Sequence, residues 1–175
     1  MSGHNKWSQI KRQKGKTDAE KSKSFTKFAR LITVESKKSG GNRTAPGLKA
    51  TIEKARAANM PNENIERAIK KATEHGAVME SITYEAYGPG GCAIIIEVLT
   101  DNRNKASQEM KHTLSLNGFA LAGIGAATWA FEKTAEGWVP KTTMPLGEED
   151  LKMLEKLVGE LEDNDDVQDV YTNVE

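Results

Sequence analysis

Residues 92–99 read CAIIIEVL, a nearly continuous apolar run that is interrupted only by Glu97. Such a run is typical of a central strand, because a strand covered on both faces has no solvent side with which to alternate. Directly before it, the GPGG tetrad at 88–91 predicts a hairpin turn, and residues 82–87 alternate like a strand. The sequence therefore predicts a sheet built around the strand at 92–99.

The segments that follow this strand alternate between helical and strand patterns. Asp101 or Asn102 is suited to cap a helix, and an amphipathic pattern of leucines predicts another helix near the C-terminus. The predicted elements are a helix to Leu116, strands at 126–133 and 138–144, a helix at 148–162 and a strand at 167–172. Counted from Cys92, the order is strand, helix, strand, strand, helix, strand, which is that of a ferredoxin-like, split βαβ domain.

The segments that precede the sheet have helical periodicity and basic character. A helix is expected from Thr17 or Asp18 to just before the glycine pair at 40–41, a second at 46–59, and a third from Asn62 that Gly76 closes. We therefore predict an α+β protein. A basic arm and three-helix domain at 1–78 precede a ferredoxin-like α+β domain at 79–175.

The formal net charge of zero conceals a strong asymmetry. Residues 1–75 contain 18 Lys/Arg and 7 Asp/Glu, whereas residues 76–175 contain 7 Lys/Arg and 18 Asp/Glu. A basic module of this kind is typical of proteins that bind a polyanion. The alternatives are docking of the two halves on each other, or ordinary solvated helix faces.

Two groups of residues are candidates for contact with nucleic acid. In the arm, Trp7 is suited either to stack on a base or to anchor the arm on the helical domain. Arg103 and Lys105, after the central strand, are candidates for a secondary contact. The cationic candidates for phosphate contact are Lys6, Lys11, Arg12, Lys14 and Lys16 in the arm and Lys21, Lys23, Lys27 and Arg30 in the first helix.

The sequence gives little support for catalysis, metal binding or a membrane. Cys92 is the only cysteine, which excludes an internal disulfide and fits a reducing compartment. The three histidines lack partners at zinc-binding spacing, and the GPGG turn lacks the GK[ST] ending of a phosphate-binding loop. No apolar run approaches the roughly 20 residues that span a bilayer. We therefore predict a cytoplasmic protein that is not an enzyme and has no cofactor, metal or small-molecule substrate.

Several longer motifs are similar to those of one known family. GHNKWSQIK at 3–11, KARAANMPNENIERAIKK at 54–71, YGPGG at 87–91, LTDNRN at 99–104 and DDVQDVYTN at 165–173 resemble the YebC/PmpR family. The resemblance implies a basic three-helix domain followed by two α+β domains, one inserted in the other. It also implies a DNA-binding transcriptional regulator, since members are generally assigned that role.

The resemblance leaves other functions open. Some members, including a mitochondrial relative that activates translation of a respiratory subunit, are linked to the ribosome and to relief of stalling at proline-rich codons. The alternatives to a DNA-binding regulator are therefore a ribosome-associated translation factor that contacts RNA, and a protein-binding adaptor. In addition, the family's inserted domain is expected between stretches that correspond to FEKT at 131–134 and WVPKTT at 138–143. These stretches almost adjoin here, so we expect the short form without that domain.

Overall fold

The structure is a computed structural model that describes Trp7, residues 18–74 and residues 78–175. The chain divides into two units, one spanning Thr17–Glu80 and the other containing Trp7 and Ser81–Glu175. The first unit is helical, and the second combines an antiparallel sheet with helices. The predicted α+β class, with N-terminal helices before a βαβ region, is confirmed.

The helical unit contains three helices that meet along their apolar stripes. They are α1 (Asp18–Ser39), α2 (Pro46–Ala57) and α3 (Asn62–Glu74). Proline at the first position suits the start of α2, and the glycine pair after α1 has positive φ, as the predicted stop requires. The residues that form the core are Ile32, Leu48, Ile52, Ala55, Met60, Ile65, Ala68 and Ile69, with Phe25, Phe28 and Ala29 packed against them.

Small residues allow α1 and α3 to approach closely. The Thr33 hydroxyl lies 3.4 Å from the carbonyl oxygen of Ala68, and the buried Ser36 hydroxyl lies at the same distance from that of Ile69. Longer side chains at these positions would hold the two backbones apart. The turn between α2 and α3 is tight because Asn59 adopts φ 64°, a left-handed conformation that asparagine tolerates better than most residues.

The second unit is built on a four-stranded antiparallel sheet. Its strands and helices are β1 (Glu80–Tyr87), β2 (Ala93–Thr100), α4 (Arg103–Leu116), β3 (Leu121–Ala122), β4 (Phe131–Thr134), β5 (Gly137–Pro140), α5 (Glu148–Glu162) and β6 (Val167–Thr172). The strand order in the main sheet is β3-β1-β2-β6, and β4 and β5 form a separate hairpin. The run at 92–99 is therefore central, as predicted.

The two faces of β2 bury different partners. Ile94, Ile96 and Val98 belong to the core that contains the apolar faces of α4 and α5. Ala93 and Ile95 alternate with them and pack on the other side, in a cluster that includes Phe131 of the hairpin. The absence of alternation in the sequence is thus explained, since helices cover one face and the β4–β5 hairpin covers the other.

The membership of the sheet differs from the prediction. Residues 126–133 and 138–144 were expected as two of its strands, but β4 and β5 are shorter and pair only with each other in the described structure. In the main sheet, β1 lies beside β2, and the two-residue β3 lies on the other side of β1. No sequence pattern had indicated β3. Residues 128–130 form a helical turn rather than strand, and Met144 makes a single bridge to Val174.

The position of Trp7 differs from both expectations. Its side chain is only 7% exposed and lies in the core cluster of the sheet unit, not in the helical domain. Trp7 is therefore an anchor, but in the α+β unit. An indole buried to this extent has no open face on which a base could stack.

Candidate nucleic-acid interface

A basic stripe runs along α1 on the side away from the helical core. Lys23, Lys27 and Arg30 stand at spacings of four and three residues, which places them on one face of the helix. Phe25 and Phe28 point toward the core from the opposite side. All three cationic residues are half-buried.

Lys21 does not share this face. It lies four residues before Phe25 and seven before Phe28, so it falls on the core side of α1, where it is nevertheless exposed. The prediction that groups Lys21 with the other three is therefore only partly matched by the helix geometry. Lys21 is available to solvent, but at a different angle around the helix.

The stripe continues beyond the predicted residues. Lys37 and Lys38 extend it into the last turn of α1 and are both exposed. Lys38 pairs with Glu35 at 2.9 Å, a surface ion pair that holds the side chain only weakly. Lys37 and Lys38 stand seven and eight residues after Arg30, about two helical turns further on, and this spacing was the sequence signal for them. We call the set Lys23, Lys27, Arg30, Lys37 and Lys38 the α1 basic stripe.

A shallow apolar groove lies at the C-terminal end of the α1 basic stripe. Its volume is about 180 Å³, and it is lined by Val34, Val78, Met79 and Thr33 together with the stems of Lys37 and Lys38. Val78 is 73% exposed. An apolar floor beside two ammonium groups can accommodate a sugar or base edge next to a phosphate, whereas purely electrostatic surfaces contact phosphates alone.

The third helix carries charges of both signs on its exposed face. Arg67 lies 3.4 Å from Glu63 and Lys70 lies 3.7 Å from Glu74, both within the helix. Arg43 makes a two-pronged hydrogen bond to Glu66 from outside the helix, and this bond lowers the pKa of the glutamate. Alternating, ion-paired charges are typical of a solvated face. The short turn between α2 and α3 is a feature of helix-turn-helix motifs, whose second helix reads bases. The ion-paired face of α3, however, does not resemble such a recognition helix.

The remaining predicted contacts fall elsewhere in the chain. Lys6, Lys11, Arg12, Lys14 and Lys16 lie outside the described residues, as does the closure of the third helix at Gly76. Arg103 and Lys105 are exposed and belong to the other unit, in the first turn of α4. That turn is closed by Asn102, whose side chain accepts a hydrogen bond from the Lys105 amide at 3.0 Å. Capping therefore accounts for Asn102, as predicted.

The described residues offer little for other chemistry. Within them, no group of three or more His, Cys, Asp or Glu residues is placed to hold a metal ion. Cys92 is buried, and burial raises the pKa of its thiol to about 11, which keeps it protonated and unreactive at neutral pH. None of the described helices is both long enough and apolar enough to cross a membrane.

Comparison with known domain families covers almost the whole chain. Residues 5–75 match the family described as TACO1/YebC protein N-terminal domain. Residues 79–136 and 132–174 match the family described as TACO1/YebC second and third domain. The two segments of the second match meet at 132–136, which is the region of the β4–β5 turn.

Individual relatives carry the same kind of name. A probable transcriptional regulatory protein of Caldanaerobacter subterraneus subsp. tengcongensis is 37% identical over 239 aligned positions, covering 100% of this chain and 98% of that protein. One from Thermotoga petrophila is 49% identical over 144 residues, covering 81% of this chain and 57% of that protein. The first alignment is longer than the 175 residues of this chain, so that relative contains sequence with no counterpart here.

A solved structure supports the fold. The crystal structure of a conserved hypothetical protein from Aquifex aeolicus matches with a TM-score of 0.81 and 30% sequence identity. The match covers 90% of this chain and 91% of that one. The succession of helices, sheet and hairpin described above is therefore shared with a related protein.

Proposed function

The chain belongs to the TACO1/YebC family, and we propose that it is a nucleic-acid-binding regulator of gene expression. Its relatives are named as probable transcriptional regulatory proteins, which supports a regulatory rather than an enzymatic role. The observation that carries the binding proposal is the α1 basic stripe. It lies in the basic N-terminal half, residues 1–75, which contains 18 Lys/Arg and 7 Asp/Glu. The activity would be exerted in the cytoplasm, without a cofactor.

The stripe suits contact with a phosphate backbone. Five cationic side chains form a row along one helix face, and a phosphate backbone presents a row of negative charges. The five cationic residues of the arm, from Lys6 to Lys16, would add further contacts when the arm meets a polyanion. Binding of this type releases counterions, so its affinity falls steeply as salt is raised.

Duplex DNA is the primary target that we propose, in the manner of a transcriptional regulator. The ion-paired face of α3 argues against sequence reading by a recognition helix and favours backbone contact. The apolar groove beside Lys37 and Lys38 gives specific support to the alternative, a translation factor that contacts ribosomal RNA, because unstacked bases and sugars are more accessible in RNA.

We also propose that this chain is a short form of the family. The β4–β5 hairpin closes directly through a tight turn, in which the Thr134 hydroxyl donates to the Gly137 carbonyl at 2.9 Å. The two family segments meet at this turn, and the relative from Caldanaerobacter has additional sequence. Any role of that additional sequence would be missing here, whereas the helical unit and its basic stripe are retained.

A pair of charge-matched variants of the full chain tests the proposal. The stripe variant changes Lys23, Lys27 and Arg30 to Gln, and the control changes the exposed Lys111, Lys152 and Lys156 of the sheet unit to Gln. Both remove three positive charges, and thermal unfolding establishes that each variant is folded before the affinities are compared. Affinity for a labelled duplex DNA and a labelled structured RNA is measured by fluorescence anisotropy across a salt series.

We expect the stripe variant to bind more weakly and to lower the slope of log K against log salt by about 2 to 3 on duplex DNA, since each lost phosphate contact contributes about 0.9. The control variant should bind like the unmodified chain. Equal slopes for both variants would contradict the proposed interface. Tighter binding to RNA at matched salt, with co-sedimentation of the full chain with ribosomes, would favour the translational alternative over DNA.

A further inference from the structure

The sheet unit exposes a compact apolar protrusion, which is held to the core through the buried Ala127. It is the loop at residues 123–129, between β3 and β4, which we call the braced loop. Ile124 is fully exposed at 103% and Trp129 is 56% exposed, although both are large apolar side chains. Single exposed apolar residues are common, but two in one short loop form a patch of the kind found at interaction sites.

A buried carboxylate holds the braced loop in one conformation. Glu85, on β1 and only 5% exposed, accepts hydrogen bonds from the backbone amides of Gly125 at 2.6 Å, Ala127 at 2.9 Å and Thr128 at 2.7 Å. Burial raises the pKa of this carboxyl, but the amide hydrogen bonds outweigh that effect and hold the pKa below its ordinary value. The ionised group is therefore the form that fixes the loop.

The polar groups of Trp129 and Ala126 in the braced loop are bonded to Tyr87 at the end of β1. The Tyr87 hydroxyl donates to the Ala126 carbonyl and accepts a hydrogen bond from the Trp129 indole nitrogen at 2.9 Å. Tyr87 is itself 38% exposed. The two aromatic side chains are thus linked by a hydrogen bond, and both remain partly exposed. Rigid aromatic side chains of this kind lose little entropy on binding and are frequent anchors in protein interfaces.

The charge around the braced loop indicates which class of partner fits. Residues 113–131 contain no charged residue, so the loop has no cation for a phosphate. The unit that carries it has a net negative charge even with the basic arm included, since residues 1–16 and 81–175 together contain 12 Lys/Arg and 17 Asp/Glu. Three of those lysines are already paired with carboxylates of their own helices. An acidic body with an uncharged tip repels nucleic acid and attracts a basic protein.

We propose that the braced loop is a docking site for a protein partner, with Ile124 and Trp129 inserted into an apolar pocket whose rim is rich in Lys and Arg. Glu85 and Tyr87 hold the loop in its binding conformation before the partner arrives, which removes part of the entropy loss of association. The site lies on the acidic unit and needs no residue of the α1 basic stripe. The chain therefore joins a nucleic acid at one unit to a protein at the other.

Photo-crosslinking from the loop tests this assignment. The full chain carries p-benzoylphenylalanine at position 124 and is irradiated in an extract of its source cells, with and without prior nuclease treatment. The probe is challenged with an excess of unlabelled competitor: the unmodified chain, the Ile124→Asp variant or the Leu116→Asp variant. Leu116 is the matched control, because it is 68% exposed and apolar but lies outside the braced loop.

We expect one saturable crosslink to a basic protein, abolished by the unmodified chain and by Leu116→Asp. Ile124→Asp should compete at least about tenfold less well, since an interface anchor contributes a factor of that order or more. Salt of 0.5 M should weaken the crosslink. A nuclease-sensitive crosslink would overturn the proposal in favour of nucleic acid, and a crosslink to a second copy would overturn it in favour of self-association. Equal competition by both variants, or no saturable crosslink, would also overturn it.

Discussion

Replacement of Glu85 by Gln is the sharpest test of the interactions that hold the sheet unit together. In the native chain one carboxylate oxygen accepts from Ala127 and Thr128, and the other accepts from Gly125. A glutamine of the same shape can present its single carbonyl oxygen to the first pair. Its NH₂ group then faces the Gly125 amide, so that two donors meet and this N–H loses its charged acceptor.

The expected loss of stability follows from this count. A lost hydrogen bond to a charged group costs about 1.5–3 kcal/mol, and two charge-assisted bonds that become neutral lose roughly 0.5–1 kcal/mol each, so the variant should be less stable by about 2.5–5 kcal/mol. Glu97→Gln is the matched control. The same oxygen of Glu97 accepts from Thr83 at 2.9 Å and from Trp138 at 2.7 Å, and a glutamine carbonyl can keep both bonds.

The pH dependence provides an independent check. Because the folded-state pKa of Glu85 lies below that of an unfolded glutamate, its contribution to stability is complete above the unfolded value and is lost as the pH falls through the folded value. Urea unfolding, followed by tryptophan fluorescence, should therefore show a constant difference between the native chain and Glu85→Gln from about pH 6 to 8, shrinking below about pH 4. A loss no larger than that of Glu97→Gln, or a difference independent of pH, would refute this account.

Two further predictions concern the β4–β5 hairpin. Gly137→Ala should destabilise the sheet unit by at least about 1 kcal/mol in thermal unfolding, because Gly137 has φ 119° and an added Cβ would lie 2.3 Å from the Tyr171 hydroxyl oxygen. Gly123→Ala, where nothing lies within 4 Å, should be nearly neutral, and equal effects would contradict the packing described. A flexible Gly/Ser insertion after the exposed Ala135 should be tolerated, since doubling a loop costs only about 0.6 kcal/mol. Fast hydrogen exchange in β2 of that variant would instead mean that the turn is structural.

Helix bounds were predictable because their signals are local. The glycine pair after α1, the proline at the start of α2 and the leucine pattern of α5 each mark an element without reference to the rest of the chain. The central position of β2 was also predictable, since a run without polar alternation requires cover on both faces. In these parts of the fold, the local sequence pattern and the tertiary packing favour the same structure.

The other features depend on contacts between distant residues. Alternation in residues 126–144 cannot tell whether a strand joins the main sheet or pairs only with its neighbour, and a two-residue strand such as β3 has no period at all. Trp7 is a single aromatic residue without periodicity, so the sequence could not indicate which unit buries it. The role of Glu85 depends on amides 40 to 43 residues away. For the basic stripe, helical spacing located Lys23, Lys27 and Arg30. Following the same helix face for about two more turns would have added Lys37 and Lys38.

The central claim is that nucleic acid binds the basic half of the chain. The most direct measurement is an anisotropy titration of one labelled duplex, at several salt concentrations, with the full chain and two full-length variants, because Trp7 belongs to the core of the sheet unit and a cut between the halves would remove it. One variant changes all five residues of the α1 basic stripe to Gln, and the other changes five exposed lysines of the sheet unit to Gln: Lys111, Lys133, Lys141, Lys152 and Lys156. We predict that the stripe variant lowers the slope of log K against log salt by about 4 to 5 and that the second variant binds like the unmodified chain. An unchanged slope for the stripe variant, or an equal loss in both variants, would contradict the account.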